Sequence, residues 1–530
     1  MRALISRRTL LGGVLLAGVA PLIAACGQAA APTQAPAAKP TEPPKPAEAP
    51  KAAEAKPTEA PKAAEAKPTE APKPAAAAAT KPAEPTKPAE PTKPAAAAAA
   101  GAPTPTPNPL ASVPIKSGKK VIEWWFGWGG MTALQALGAV AKGFNETHDD
   151  FQVKPLQVSE ITQKLLAAIA GGTAPAVQTG NITFSEFWVK GAAKPLDDYV
   201  KASKIIDLKD FFESNLKAGQ WKGKTYGVPA VECYLRWATC FNQSFVEKAG
   251  IQPTEVPTDF DGLYKFAKDT TVVESSGAVK TLGFDPLDAM GGSFGDGDPF
   301  YWPAAYGFKY FDEATGKYNF NNPQMVEAMA MIQKFYDIAG AEKIAGFYKS
   351  YGTWTESPTA ALPSGVEGAN INGYWGPGEL HKSAPDKKFV YTWVPTAQKG
   401  VKLQSTGGHF GMLPKGGPEP DLGFQFIEYL NTDPAFDAIF KGTGWLGARK
   451  SYFKKVNVST YAGLDFFVKS GDQASVMWQV IVDPIQAFVS DQWTKIQESV
   501  NYHKVSPKEA AQQLQQAADT EMKTEFPNGV

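Results

Sequence analysis

The 530-residue chain has only three cysteines and four histidines. So few thiols exclude a disulfide-built scaffold, and once Cys26 in the leader region is set aside, Cys233 and Cys240 are the one pair left to bridge. Seven residues of extended chain span about 23 Å, whereas bridged Cα atoms sit roughly 4.4–6.8 Å apart. The intervening YLRWAT carries no Gly or Pro, so a bridge is open only if a loop folds there. The histidines, at 148, 381, 409 and 503, form no H-E-x-x-H or short pair, which leaves zinc unsupported and predicts no metal site. Charge of one sign is lacking as well. With 53 basic and 53 acidic residues the chain shows no polybasic footprint for nucleic acid or for an anionic membrane surface. Long apolar runs are missing too, since residues 10–25 form the one stretch of note and Pro21 and several glycines interrupt it below the length of a span.

That stretch follows Ser6, Arg7, Arg8, Thr9, Leu10 and Leu11, the S-R-R-x-L-L pattern of twin-arginine export. It ends in Ile23, Ala24, Ala25 and Cys26, which resembles the lipobox of bacterial lipoproteins. The resemblance implies a signal peptide over 1–25 and an acylated Cys26 anchoring the protein to the outer face of the cell membrane.

Residues 26–114 lack Phe, Trp and Tyr altogether and consist almost wholly of Ala, Pro, Lys, Glu and Thr. Such a segment cannot bury a core and is expected to be a disordered linker. APKAAEAKPTE recurs with a period of eleven, and KPAEPT with a period of six. Stiffened by proline, at about 3.1 Å per residue, the linker could reach at most roughly 270 Å.

All 13 Trp, 17 Tyr and 30 Phe therefore fall after residue 114, in a segment large enough for two domains. Residues 120–126 read as a strand opening on Gly127, Gly129 and Gly130, and 132–145 carry apolar residues at helical spacing. Residues 161–170 repeat that spacing and stop at Gly171 and Gly172. Further helices are predicted over 256–269 and 324–339, the second capped by Asn322 with Pro323 first. Strand and helix alternate, which predicts an α/β fold with mainly parallel sheets.

Chemistry-bearing motifs are weak. Residues 291–295 spell G-x-S-x-G, but a nucleophile elbow needs a helix after it and GDGDP follows. Asp285, Asp288, Asp296 and Asp298 make an acidic loop whose spacing does not match a calcium loop, so a solvated loop is expected and calcium stays open. A glycosidase's carboxylate pair is defined in space and is not legible in sequence.

Several longer segments carry a family resemblance. KLLAAIAGGTAP at 164–175, the stretch from Trp188 to PLDDY at 195–199, and YGVP at 226–229 followed by Phe241, Asn242 and FVEKAGI appear in order. GANINGYW at 368–375, GGHFGMLPKGGPEPDLGFQFIEYL at 407–430 and Gly447, Ala448, Arg449 and Lys450 complete the set. Residues 118–530 resemble the sugar-binding branch of extracellular solute-binding proteins of ABC importers, the maltose-binding protein-like group. The departures are Ala176 and Val177 where an Asp and a Val usually stand, and Gly447 in place of Pro.

The resemblance implies a two-lobed, hinge-closing α/β fold with the ligand between the lobes and no cofactor. Lobe one would take about 118–230 and 408–443, lobe two about 231–407 and 450–530, with hinges near Pro229, His409 and Arg449. The implied partners are a sugar or oligosaccharide and the permease subunits of an ABC importer, with the protein a monomer and not an enzyme. A surface glycoside hydrolase or a carbohydrate-binding adhesin is the alternative.

Trp375 matches the family's stacking Trp after Asn-Gly. Strand alternation sends Trp124 and Trp125 to opposite faces, which leaves Trp128 in the glycine loop as the better cleft candidate. Asn181, Thr183 and Phe184 occupy a position where the family holds polar cleft residues. Glu232 can accept two sugar hydroxyls, a salt bridge with Arg236 being its competing role. Tyr374, Trp302, His409, Trp445 and Arg449 complete the candidates, with core packing the rival for each aromatic.

Overall fold

The computed structural model describes residues 108–181, 185–287 and 301–530. Cys26 and the export segment, Thr183, Phe184, the G-x-S-x-G stretch and three of the four acidic-loop aspartates lie outside the described residues. Residues 108–114, which composition assigns to the linker, already belong to the folded part. Asn108 caps a short 3-10 helix, Pro109–Ser112, and Leu110 is buried beside Gly138.

Nine strands build the two main sheets: β1 (Lys120–Phe126), β2 (Phe151–Gln157), β3 (Val177–Asn181), β4 (Val228–Leu235), β5 (Ala238–Asn242), β6 (Ala369–Asn372), β7 (Phe389–Thr392), β8 (Leu403–Met412) and β9 (Val476–Trp478). Five helices position the site: α1 (Met131–Thr147), α2 (Ile161–Ala170), α3 (Gly376–Ser383), α4 (Pro420–Tyr429) and α5 (Asp433–Thr443).

The larger sheet is ordered β9-β8-β3-β1-β2, with β4 paired to β8; β1, β2 and β3 belong to lobe one, β4 and β8 cross between the lobes, and β9, from the stretch expected in lobe two, pairs with the start of β8. β1 runs parallel to β2 and to β3, and its alternation is as the sequence predicts: Ile122, Trp124 and Phe126 are buried while Trp125 is half-buried on the other face. Trp124 Nε1 donates to Thr179 Oγ1 of β3 at 2.9 Å, so the indole N–H is satisfied inside the core. α1 lays Leu134, Leu137, Val140, Ala141 and Phe144 on this sheet and packs against α5. α2 has the predicted bounds, and Gly172 takes a positive φ just after it. Asn322 accepts from Met325 N at 2.8 Å at the head of the helix Pro323–Tyr336, as expected. The helix expected from 256 begins only at Phe260, because the Asp259 side chain accepts from Gly262 N and sets the cap there.

The sheets are not mainly parallel. β8 runs antiparallel to both β3 and β4, and lobe two's sheet, β6-β5-β7, is antiparallel throughout. The reason is topological: the chain leaves lobe one along β4 and re-enters along β8, so the two crossing strands must run in opposite directions. Their ladder pairs Phe410 with Pro229 and Gly408 with Cys233, which leaves Ala230, Val231 and Glu232 bulged opposite His409. Gly408 has φ 126°, and a Cβ there would collide with Cys233 Cα, so only glycine lets the strands approach this closely. Cys233 and Cys240 are both buried free thiols.

Candidate functional site

A cavity of about 390 Å³ opens between the lobes where these strands cross. Its lobe-one wall is the loop of Gly127, Trp128, Gly129 and Gly130 after β1, together with Asn181 at the end of β3. Lobe two supplies Trp354, Tyr374 and Trp375, the last two following β6. The crossing segments supply Glu232, Arg236, Gly408, His409 and Trp445.

Trp128 stacks on His409, with ring centroids 3.7 Å apart, and its far flank meets Trp445 at 5.7 Å. Tyr374 and Trp375 meet edge to face, and the Arg236 guanidinium lies 5.8 Å from the Trp375 ring. The result is a cleft with flat apolar surfaces on both sides and charge along its floor.

That floor is shaped by backbone strain. Val231 is buried and holds φ at 66°, a left-handed conformation costly for a β-branched residue. The twist it puts into the bulge turns Glu232 toward His409, and the carboxylate and the imidazole Nδ1 are bonded. Burial pushes the Glu232 carboxyl up, opposed by His409 and Arg236. Its second oxygen, Oε2, and the Trp128 indole N–H are buried without a hydrogen-bond partner among the described residues. A buried acceptor and a buried donor thus stand unsatisfied in one cleft, a demand that a polyhydroxylated molecule can meet.

Beneath Trp445 lies Glu379, fully buried, whose carboxyl accepts from Thr355 Oγ1 at 2.5 Å. Burial, only partly offset by that hydrogen bond, lifts its pKa to about 8. Among the described residues no group of three or more His, Cys, Asp or Glu side chains is placed to hold a metal ion.

The sequence pattern that defines the bacterial extracellular solute-binding proteins matches residues 139–465, more than half of the chain. The chain belongs to that family. No curated relative matches this solute-binding protein in sequence. Solved structures share its fold. CpMnBP1 with mannobiose bound is 21% identical with a TM-score of 0.67, covering 76% of this chain and 100% of that one. A substrate-binding protein from Listeria monocytogenes in complex with cycloalternan is 20% identical at TM-score 0.62, over 76% and 99%. A maltose/maltodextrin-binding domain from Bdellovibrio bacteriovorus bound to maltotriose is 17% identical at TM-score 0.60, over 76% and 100%.

Of the candidate residues, Trp128, Asn181, Glu232, Tyr374, Trp375, His409 and Trp445 come together around the solute-binding protein's cavity. Two do not. Trp302 is a core residue, stacked on Phe260 with centroids 5.7 Å apart and 2% exposed. Arg449 is a structural tie: its Nε donates to Asp210 at 3.0 Å and its Nη1 to the Asn431 carbonyl at 2.9 Å, pinning the third lobe connection to lobe one. Thr183 lies outside the described residues. Trp354 was missed. Its one signal was a tryptophan among Gly, Thr, Ser and Pro, a loop setting in which an indole has no core to fill, and it is 37% exposed. Arg236, which the sequence offers as a partner for Glu232, also lines the cavity.

Proposed function

We propose that this protein captures a sugar or short oligosaccharide outside the cytoplasm and delivers it, chemically unchanged, to the permease of an ABC importer. The observation that carries this reading is the presence in one cavity of two indoles, Trp128 from lobe one and Trp375 from lobe two, with the unsatisfied Glu232 Oε2 and Trp128 N–H. Indole faces stack on the C–H face of a sugar ring while hydroxyls supply both the donor and the acceptor the cleft lacks. The neighbours bound to mannobiose, cycloalternan and maltotriose support the same class. A cavity of about 390 Å³ sits at the small end of the ~300–1,000 Å³ usual for small-molecule sites, which favours one or two rings. On this reading the protein works as a monomer, tethered through lipid on Cys26 with the 26–114 segment as its spacer.

The test is a thermal-shift and calorimetry screen with mono- and disaccharides. At a hundredfold excess over Kd a bound sugar adds about 2.7 kcal/mol of stability. The sugar should be recovered intact. Cleaved sugar would make the protein a glycosidase, and no binding to any sugar would end the proposal. For the tether, Cys26→Ala should release the protein from membranes, and retention after a salt wash would refute the anchor.

A further inference from the structure

Trp354 belongs to a lobe-two loop that is tied down on its own side. Gly352 bridges Ala360, Thr355 bonds Glu379 of α3, and Ser383 Oγ donates to the Thr355 carbonyl at 2.6 Å. Two residues beyond the tryptophan, Glu356 leaves lobe two. Its Oε1 accepts from the Thr132 backbone N–H at 2.7 Å, in the first turn of lobe one's α1. The residue that would ordinarily cap that helix is Gly130, which has no side chain to do so. A Cβ at Gly130 would also collide with Glu356 Oε2, so the glycine both leaves the helix end open and makes room for a carboxylate from the other lobe.

A second contact has the opposite sign. Lys382, in the last turn of lobe two's α3, donates from Nζ to the Gly442 carbonyl at the C-terminal end of lobe one's α5. Nearby the backbones touch: a Cβ at Gly378 would collide with the Thr443 carbonyl, and Gly378 faces Gly444. Because α1 and α5 pack together, their positive and negative ends present a matched pair of partial charges to lobe two. Lobe two answers with one carboxylate and one ammonium; burial pulls the Lys382 pKa below its ordinary value, and Glu356 and Glu379 are near enough to oppose that.

We propose that Glu356 and Lys382 are positioning residues that clasp lobe two onto the oppositely charged helix ends of lobe one, holding Trp354 over the cleft and setting how readily it opens. The clasp touches no solute and holds whichever molecule the cleft binds. It trades on charge–dipole contacts that salt weakens, so it releases without unfolding either lobe.

The experiment uses the full chain carrying Cys26→Ala, without any solute, spin-labelled through cysteines placed at exposed Gln135 of α1 and Lys349 of lobe two, since Cys233 and Cys240 are buried. Pulsed electron resonance at low salt should show mainly the short interlobe distance. Glu356→Gln, Glu356→Ala and Lys382→Met should each lower the ratio of closed to open protein about 2- to 5-fold, as expected for one charge at a helix end. Sodium chloride at about 1 M should open the parent protein similarly and leave the Glu356→Ala/Lys382→Met double variant unmoved. Unchanged distance distributions in the variants, or a parent protein wholly open at low salt, would overturn the clasp. With no solute present, its failure leaves the sugar-capture reading untouched, and the failure of that reading leaves the clasp.

Discussion

Trp128 and His409 lie face to face where the cleft's lobe-one wall meets the crossing strand, their planes 19° from parallel. The tryptophan comes from lobe one's glycine loop and the histidine from a strand that crosses between the lobes, so this stack ties the cavity's lobe-one wall to the crossing strand. Glu232, bonded to Nδ1 at the edge of the imidazole, fixes the ring's orientation.

Trp128→Ala and Trp375→Ala should each weaken sugar binding by on the order of 1–3 kcal/mol, the scale of buried aromatic anchors. Trp302→Ala should instead leave affinity intact and lower stability by about 3–5 kcal/mol, since that ring fills core. Calorimetric titration beside chemical denaturation separates the two outcomes. A loss of affinity in a fully folded Trp302→Ala would contradict its assignment.

His409→Ala strips the buried Glu232 carboxyl of its hydrogen-bonded partner and leaves Arg236 alone to oppose its burial; breaking such a buried pair costs about 3–5 kcal/mol. Adding Glu232→Gln to His409→Ala should recover most of that loss. A double-mutant cycle by urea unfolding measures it. Strict additivity of the two substitutions would mean the pair is uncoupled.

Glu379 predicts a pH dependence. Its pKa rises from an ordinary 4.5 to about 8 on folding, so between those values the folded protein holds a proton that the unfolded chain has lost. Stability from this group therefore falls as pH climbs from 4.5 to 8, and below 4.5 it contributes nothing. Glu379→Gln removes the titration. Its melting temperature relative to the parent should rise steadily across that window, and a difference constant with pH would show that the carboxyl does not carry the shift.

Arg449→Ala should cost about 1.5–3 kcal/mol of stability, the worth of hydrogen bonds to a charged group. Its effect on sugar affinity should be small by comparison. A selective loss of binding, with denaturation unchanged, would return the arginine to the cleft.

Periodic features of this chain were written in neighbouring residues. The alternation in KVIEWWF chose which tryptophan of β1 enters the core, Asn322–Pro323 started one helix, and Gly171–Gly172 stopped another, because each depends on backbone geometry a few residues long. The order of the longer segments was enough to imply two lobes with a cleft between them. Which aromatic faces that cleft was a different question. Trp302 and Trp354 look alike in sequence, yet one is sealed against Phe260 and the other lines the cavity, since burial depends on residues far away along the chain. The left-handed Val231 that turns Glu232 onto His409 needed β8 laid beside β4 before the bulge existed at all. Likewise a carboxylate at 356 and an amide at 132 become partners only where the tertiary structure brings two lobes together, and no local pattern can encode a hydrogen bond across 224 positions of chain.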